Sequence, residues 1–98
     1  MIRGTTPELR IRTNINAEDI TKLSIVIRQG SEIKIEKTLE DVILDGREIR
    51  TMLTEQETLQ LEGNRYAQIQ IRAGLGETRI ASKVLTVSVE EIIKGGEL

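Results

Sequence analysis

Oxygen ligands gather most densely at Asn14, Asn16, Glu18 and Asp19. Side chains of this kind at alternate positions suit a calcium loop, because several oxygens must converge on one hard cation. The glycine that lets such a loop turn sharply is missing, and no Glu closes it, so turn formation and capping account for these residues. Asp41 and Asp45 could act as acid and base only if a pocket raised one pKa, since two exposed carboxylates both stay ionised. The Asp45-Gly46 turn signal already explains Asp45, which leaves no pair. Gly74-Leu75-Gly76 has glycines spaced as in a phosphate loop, but no third glycine follows and no helix begins there. It reads as a hairpin turn. Ser24, Ser31, Ser82 and Ser88 have no His to activate them. Lys22, Lys34, Lys37, Lys83 and Lys94 read as solvated surface, because a catalytic Lys needs a desolvating pocket. The expectation is a protein that is not an enzyme, with no catalytic residue, no metal ligand and no cofactor.

The remaining residue of interest is Tyr66, the only aromatic side chain in 98 residues. Tyrosine offers a large flat area at low entropy cost and keeps a polar end, which suits it to interfaces. Its strand alternates, with Ala67, Ile69, Ile71 and Ala73 on one face and Tyr66, Gln68, Gln70 and Arg72 on the other. Either Tyr66 covers the sheet end or the corner near Thr54 to Leu61, which is the plainer reading, or it belongs to a partner-contact face with Gln68, Gln70 and Arg72.

The elements that position this face follow a period of two. Leu9 to Thr13, Leu23 to Arg28 and Ile33 to Glu36 alternate apolar and polar residues, and Gln29-Gly30-Ser31 joins the last two runs into a hairpin. Asp45-Gly46 joins Val42–Leu44 to Glu48–Leu53 as a second hairpin. The strand Tyr66–Ala73 turns at Gly74-Leu75-Gly76 into a last strand whose parity breaks: Ile80 is even, while Leu85, Val87 and Val89 are odd. A one-residue slip, a β-bulge near Ser82-Lys83, repairs it. Short helical turns are expected at Ala17–Ile20 and at Thr54–Glu57, where Thr and Glu have capping-box spacing.

Composition narrows the class. The chain is 38% hydrophobic with 1% aromatic, and it has no Cys, His, Trp or Phe. Its core must be aliphatic, and disulfides and the usual zinc sites are excluded. Fourteen basic residues (Lys+Arg 14) against sixteen acidic ones (Asp+Glu 16) give a net charge of -2, interspersed along the chain. A nucleic-acid partner, which needs a basic face and stacking platforms, is not expected. No apolar run is long enough for a membrane span, so a membrane is not expected as partner, and with no catalytic constellation a small-molecule substrate is not expected either.

Seven short strands at this spacing predict an all-β fold, a β-sandwich or small barrel, in one domain over residues 1–98 with an ordered core of about 7–93 and a loose tail over 94–98. The corner Leu53-Thr54-Glu55-Gln56-Glu57-Thr58-Leu59 resembles the turn between strands E and F of immunoglobulin-like domains. That resemblance implies one sheet of B (Leu9–Ile15), E (Arg47–Leu53) and D. The other holds C′ and C (Leu23–Thr38), F (Tyr66–Ala73) and G (Glu77–Val89). Ile69 or Ile71 facing Ile11 would replace the usual disulfide and Trp.

A wider resemblance rests on Met1-Ile2-Arg3-Gly4-Thr5-Thr6-Pro7, Glu36-Lys37-Thr38, Glu40-Asp41, Leu44-Asp45-Gly46, Leu53-Thr54-Glu55, Glu57-Thr58-Leu59, Gln68-Ile69-Gln70-Ile71-Arg72 and Val87-Ser88-Val89. In order and spacing these are similar to small proteins of phage and prophage structural modules of Firmicutes, and to the N-terminal immunoglobulin-like domains of phage baseplate proteins. The resemblance implies a structural or assembly protein of a tail or baseplate. Its partners would be other tail or baseplate proteins or further copies of itself. It would be made in the bacterial cytoplasm and destined for a virion or tail-like particle. Two alternatives carry different chemistry: a carbohydrate- or host-surface-binding module, for which one Tyr is thin provision, and a small regulatory protein binding a host enzyme.

Overall fold

A computed structural model describes all residues, 1–98. The chain forms β1 (Glu8–Arg12), β2 (Lys22–Gln29), β3 (Glu32–Thr38), β4 (Ile43–Asp45), β5 (Glu48–Met52), the helix α1 (Glu55–Leu59), β6 (Arg65–Leu75), β7 (Thr78–Ala81) and β8 (Leu85–Val89). All pairings between strands are antiparallel. A three-stranded sheet has the order β1-β5-β4, and a five-stranded sheet the order β3-β2-β6-β7, with β8 also on β6. Both orders match those that the resemblance of the Leu53–Leu59 corner implied, except that the single last strand expected over Glu77–Val89 is divided into β7 and β8. Residues before Pro7 also pair: Ile2 bridges Glu90 in parallel, which places the first residues beside the end of β8.

Three hairpins share one turn chemistry. The register closes Gln29 on Glu32, Asp45 on Glu48 and Leu75 on Thr78, so each loop has two residues and begins with Gly30, Gly46 or Gly76. At Gly46 φ is +58, and Arg47 is not in the positive region. The turn is therefore Gly46-Arg47 with glycine first, the type II′ pattern, and lies one residue later than the Asp45-Gly46 assignment that presumed two positive φ angles. In the same way Gly74 belongs to β6 and the last hairpin turns at Gly76-Glu77.

The expected slip in the final strand is present. Between Arg72↔Ala81 and Ile69↔Leu85, β6 contributes Gln70 and Ile71 while Ser82, Lys83 and Val84 lie opposite, one residue too many. Ser82 holds the break in place: its amide donates to the Ile71 carbonyl (2.8 Å), and its Oγ accepts from the Ile71 amide (3.0 Å). A second slip, at Ile27/Arg28 in the β2–β3 ladder, sets Ile33 opposite Arg28. The alternation of Ile33 with Ile35 suggests one buried face for both, but the slip turns Ile33 outward, where it is 58% exposed.

The core is a single cluster of 14 buried residues, all Ala, Ile, Leu or Val, between the two sheets. Polar side chains seal its ends. Gln29, buried at the end of β2, donates to the Glu62 carbonyl (2.8 Å) and accepts from the Glu62 amide (2.6 Å), copying a backbone ladder step. Thr58 donates to the carbonyls of Thr5 and Glu55. Lys37 departs from the solvated role expected of it. The inward phase of β3 buries it, and its ammonium donates to Glu57 Oε1 at 2.6 Å. The same oxygen accepts from the Thr54 amide (2.9 Å), and Thr54 Oγ1 accepts from the Glu57 amide, so the expected capping box is formed and carries a cation besides.

Burial pushes the Glu57 carboxyl up, but the Lys37 ammonium and the Thr54 amide outweigh it and hold the group below the usual glutamate range. A carboxyl whose pKa falls on folding contributes stability above its unfolded value, and that stability is lost as pH falls through the folded one. Glu57→Gln therefore lowers the urea midpoint at about pH 6 and flattens its decline toward about pH 3 relative to the parent. Gln29→Ala leaves both backbone groups of Glu62 unpaired and costs about 2 kcal/mol in urea unfolding.

Candidate partner-contact face

The outer face of the large sheet is built from the even positions of β6 and their neighbours. Tyr66 stands opposite Ser88 on β8, and the ladder to β2 ends at Arg28↔Gln68, so beyond Tyr66 on that side there is only the β2–β3 turn. With small or absent side chains on both flanks, Tyr66 is 71% exposed. It does not cover the corner near Thr54 to Leu61.

Gln68 Oε1 accepts from Arg28 Nε at 2.9 Å, and Gln70 Nε2 donates to the Ser82 carbonyl at 3.1 Å. These bonds fix two half-buried amides while leaving the rest of their polar groups toward solvent. Between them lies a shallow depression of about 250 Å³ whose apolar walls include Val26, Ile33 and Val84. Ile33 and Val84 are products of the two register slips, so alternation alone gave no sign of them; the parity break at Ser82-Lys83 was the available signal for Val84. Arg72 is exposed at the far end of the strip, about 20 Å from Tyr66 at the rise of a strand. It adjoins Lys22 and Arg79 rather than the depression. The structure thus brings Tyr66, Gln68 and Gln70 into one surface with Ile33 and Val84, and sets Arg72 apart in a basic hollow.

The outer face of the small sheet is different. Arg10 pairs with Glu8 along β1, and Arg50 pairs with Glu48 along β5 and with Asp45 across to β4. Arg10 holds the Glu8 carboxyl below its usual range through a hydrogen bond. Ile43 and Met52 are exposed there, but among charges. Desolvating such a network is costly, whereas the amides, hydroxyls and aliphatic groups around Tyr66 can be buried with little penalty.

The residues singled out for chemistry have local tasks. Asn16 accepts from the Glu18 amide (3.1 Å) and caps the 3₁₀ turn Ala17–Asp19. Asp41 accepts from the Thr38 amide (2.8 Å) and hydroxyl, caps a second 3₁₀ turn at Leu39–Asp41, and is held below its usual range chiefly by the amide bond. Asp45 accepts from Arg50 at 3.4 Å. No group of three or more His, Cys, Asp or Glu side chains is placed to hold a metal ion. No helix is long and apolar enough to cross a membrane. No protein-family model matches the chain, and no curated protein or solved structure matches it.

An exposed Tyr66 contributes little to folding. Tyr66→Ala shifts the unfolding free energy by less than about 0.5 kcal/mol, whereas Ile25→Ala, at a fully buried position, costs about 3 kcal/mol; thermal melts and urea titrations measure both.

Proposed function

We propose that this chain is a non-enzymatic interaction module with an immunoglobulin-like sandwich, and that it assembles with other proteins through the outer face of its large sheet. The observation that carries the reading is the concentration of Tyr66, Ile33 and Val84, each exposed, on the one face with no crossing network of ion pairs. β6 spans 11 residues, so at strand spacings the whole outer face, the basic hollow at Arg72 included, measures about 35 by 20 Å, or about 700 Å². The stretch from Tyr66 to Gln70 is about half of it, which puts the Tyr66 surface alone at the small end of protein interfaces, where each partner contributes ~800 Å² in the standard case.

The strand orders and the parallel pairing of Met1–Arg3 with the end of β8 support the immunoglobulin-like topology. The setting belongs to the proposal as well: the motif resemblance favours a phage or prophage tail or baseplate, with neighbouring tail proteins or further copies of the chain as partners.

Purified protein is expected to self-associate in light scattering or to retain a tail protein encoded beside it in a pull-down. Replacing Tyr66 by Ala together with Ile33 by Asp should weaken that association at least about tenfold, as removal of a central anchor does. If the parent binds neither itself nor any such protein, or the double variant binds as tightly as the parent, the reading fails.

A further inference from the structure

β7 is an edge strand, and nothing in the sheet pairs with its outer side. Ser82 bonds back to Ile71 and Thr78 closes the hairpin, so by the alternation of an antiparallel ladder Arg79 and Ala81 direct their N–H and C=O groups away from β6. Such an edge is a template for another strand unless charge, proline or a covering loop blocks it. This edge has none of those guards on its inner side.

Its two faces differ in chemistry. On the outer face Lys22, Arg72 and Arg79 surround Gly74, to which both Lys22 and Arg79 are register partners. Arg79 Nη1 donates to the carbonyls of Gly76 (2.6 Å) and Thr78 (3.1 Å), and a Cβ at Gly74 would lie 2.9 Å from it, so the missing side chain lets that guanidinium lie over β6, beside a hollow of about 180 Å³ that it shares with Lys22 and Arg72. None of the three forms an ion pair; Glu77, in the adjoining turn, pairs with none of them. Ala81, the register partner of Arg72, adds no bulky side chain to the outer face at the edge. On the inner face Ile80 is 42% exposed and borders a cleft of about 360 Å³ between the sheets, floored by Ile11, Ile15, Ile20, Ile71 and Ala73.

We infer that β7 docks an extended segment of a partner protein in which acidic residues alternate with aliphatic ones, the segment joining the large sheet as its next strand. Strand geometry dictates the pattern. The residues opposite Arg79 and Ala81 point outward, on the side of the cations that have no carboxylate partner, and the residue between them points inward past Ile80 into the cleft. The order acidic, aliphatic, acidic is thus complementary in charge, burial and period. This site is separate from the Tyr66 surface and does not rest on it.

The test uses the full chain, isotope-labelled, and the peptide acetyl-Gly-Glu-Val-Glu-Val-Glu-Gly-amide. The control has the same composition in block order, Gly-Glu-Glu-Glu-Val-Val-Gly. NMR titration with the alternating peptide should shift the Arg79 and Ala81 amides and slow their hydrogen exchange. Binding should weaken at least about tenfold for the block peptide and for Arg79→Glu, and fall as NaCl rises from about 50 to about 300 mM. Ala81→Pro removes a donor that makes no bond to β6, so it should keep the fold and lose the peptide; if its spectrum shows unfolding, Arg72→Glu with Arg79→Glu takes its place. Met52→Ala, on the other sheet, should bind as the parent does. No shift at about 1 mM peptide, equal binding of the block peptide, or protection at β1 instead of β7 would overturn the inference.

Discussion

Everything in this fold depends on how the chain crosses from the small sheet to the large one between β5 and β6. Leu53 and Leu61 are buried on either side of α1, and Thr58 is fully buried between them. A five-residue helix cannot hold itself in water. It is held by its ends: Thr54 and Glu57 satisfy each other's amides, and Lys37, reaching from β3 at the edge of the opposite sheet, neutralises Glu57. Because Lys37 lies in one sheet and the corner follows from the other, this contact fixes the spacing of the layers at that end. Gln29 does the same a turn later by bonding Glu62, so β6 enters the large sheet beside β2 in a single register. The face bearing Tyr66 is aimed by that register.

The aliphatic core explains why such polar clamps are needed. An aromatic residue can bridge two sheets by itself and bury 150 to 250 Å². Here Ile, Leu, Val and Ala fill the interior, and each reaches only partway across. The lateral cleft floored by Ile11, Ile20 and Ile71 is what remains where the sheets diverge and no large side chain closes the gap. Ile11 and Ile71 line that cleft together, at the place where the sequence suggested that Ile69 or Ile71 would face Ile11.

Period two made the strands and their faces legible in the sequence, the capping-box spacing at Thr54 and Glu57 marked the corner, and the two sheet orders were implied by the resemblance of that corner to an immunoglobulin-like turn. What it hid depended on partners distant in the chain. Lys37 looks solvated until Glu57, 20 residues on, is known to lie against it. Ile33 looks buried until the slip against β2 is counted. Asp45-Gly46 marked a hairpin, but only the register shows that Gly46-Arg47 forms the turn. Of the four face residues, parity placed Tyr66, Gln68, Gln70 and Arg72 correctly on the outer side. It could not show that Arg72 belongs with Lys22 and Arg79, because that grouping is made by cross-strand neighbours.

The two register slips are also where the molecule acquires surface character. Alternation by itself turns only Val26, half-buried, toward the depression on this face. The slip at Ile27/Arg28 exposes Ile33, and the extra residue after Ser82 exposes Val84, on either side of the depression beside Gln68 and Gln70. The second slip does more, since it divides the final strand into β7 and β8. β8 is covered by Met1–Arg3, whose bonds reach Ser88 and Glu90. β7 lies beyond the reach of that segment and keeps its edge free. Bulges persist in sheets where they re-aim side chains or end a pairing, and here a single inserted residue does both, giving an apolar patch to one face and an open edge to the strand next to it.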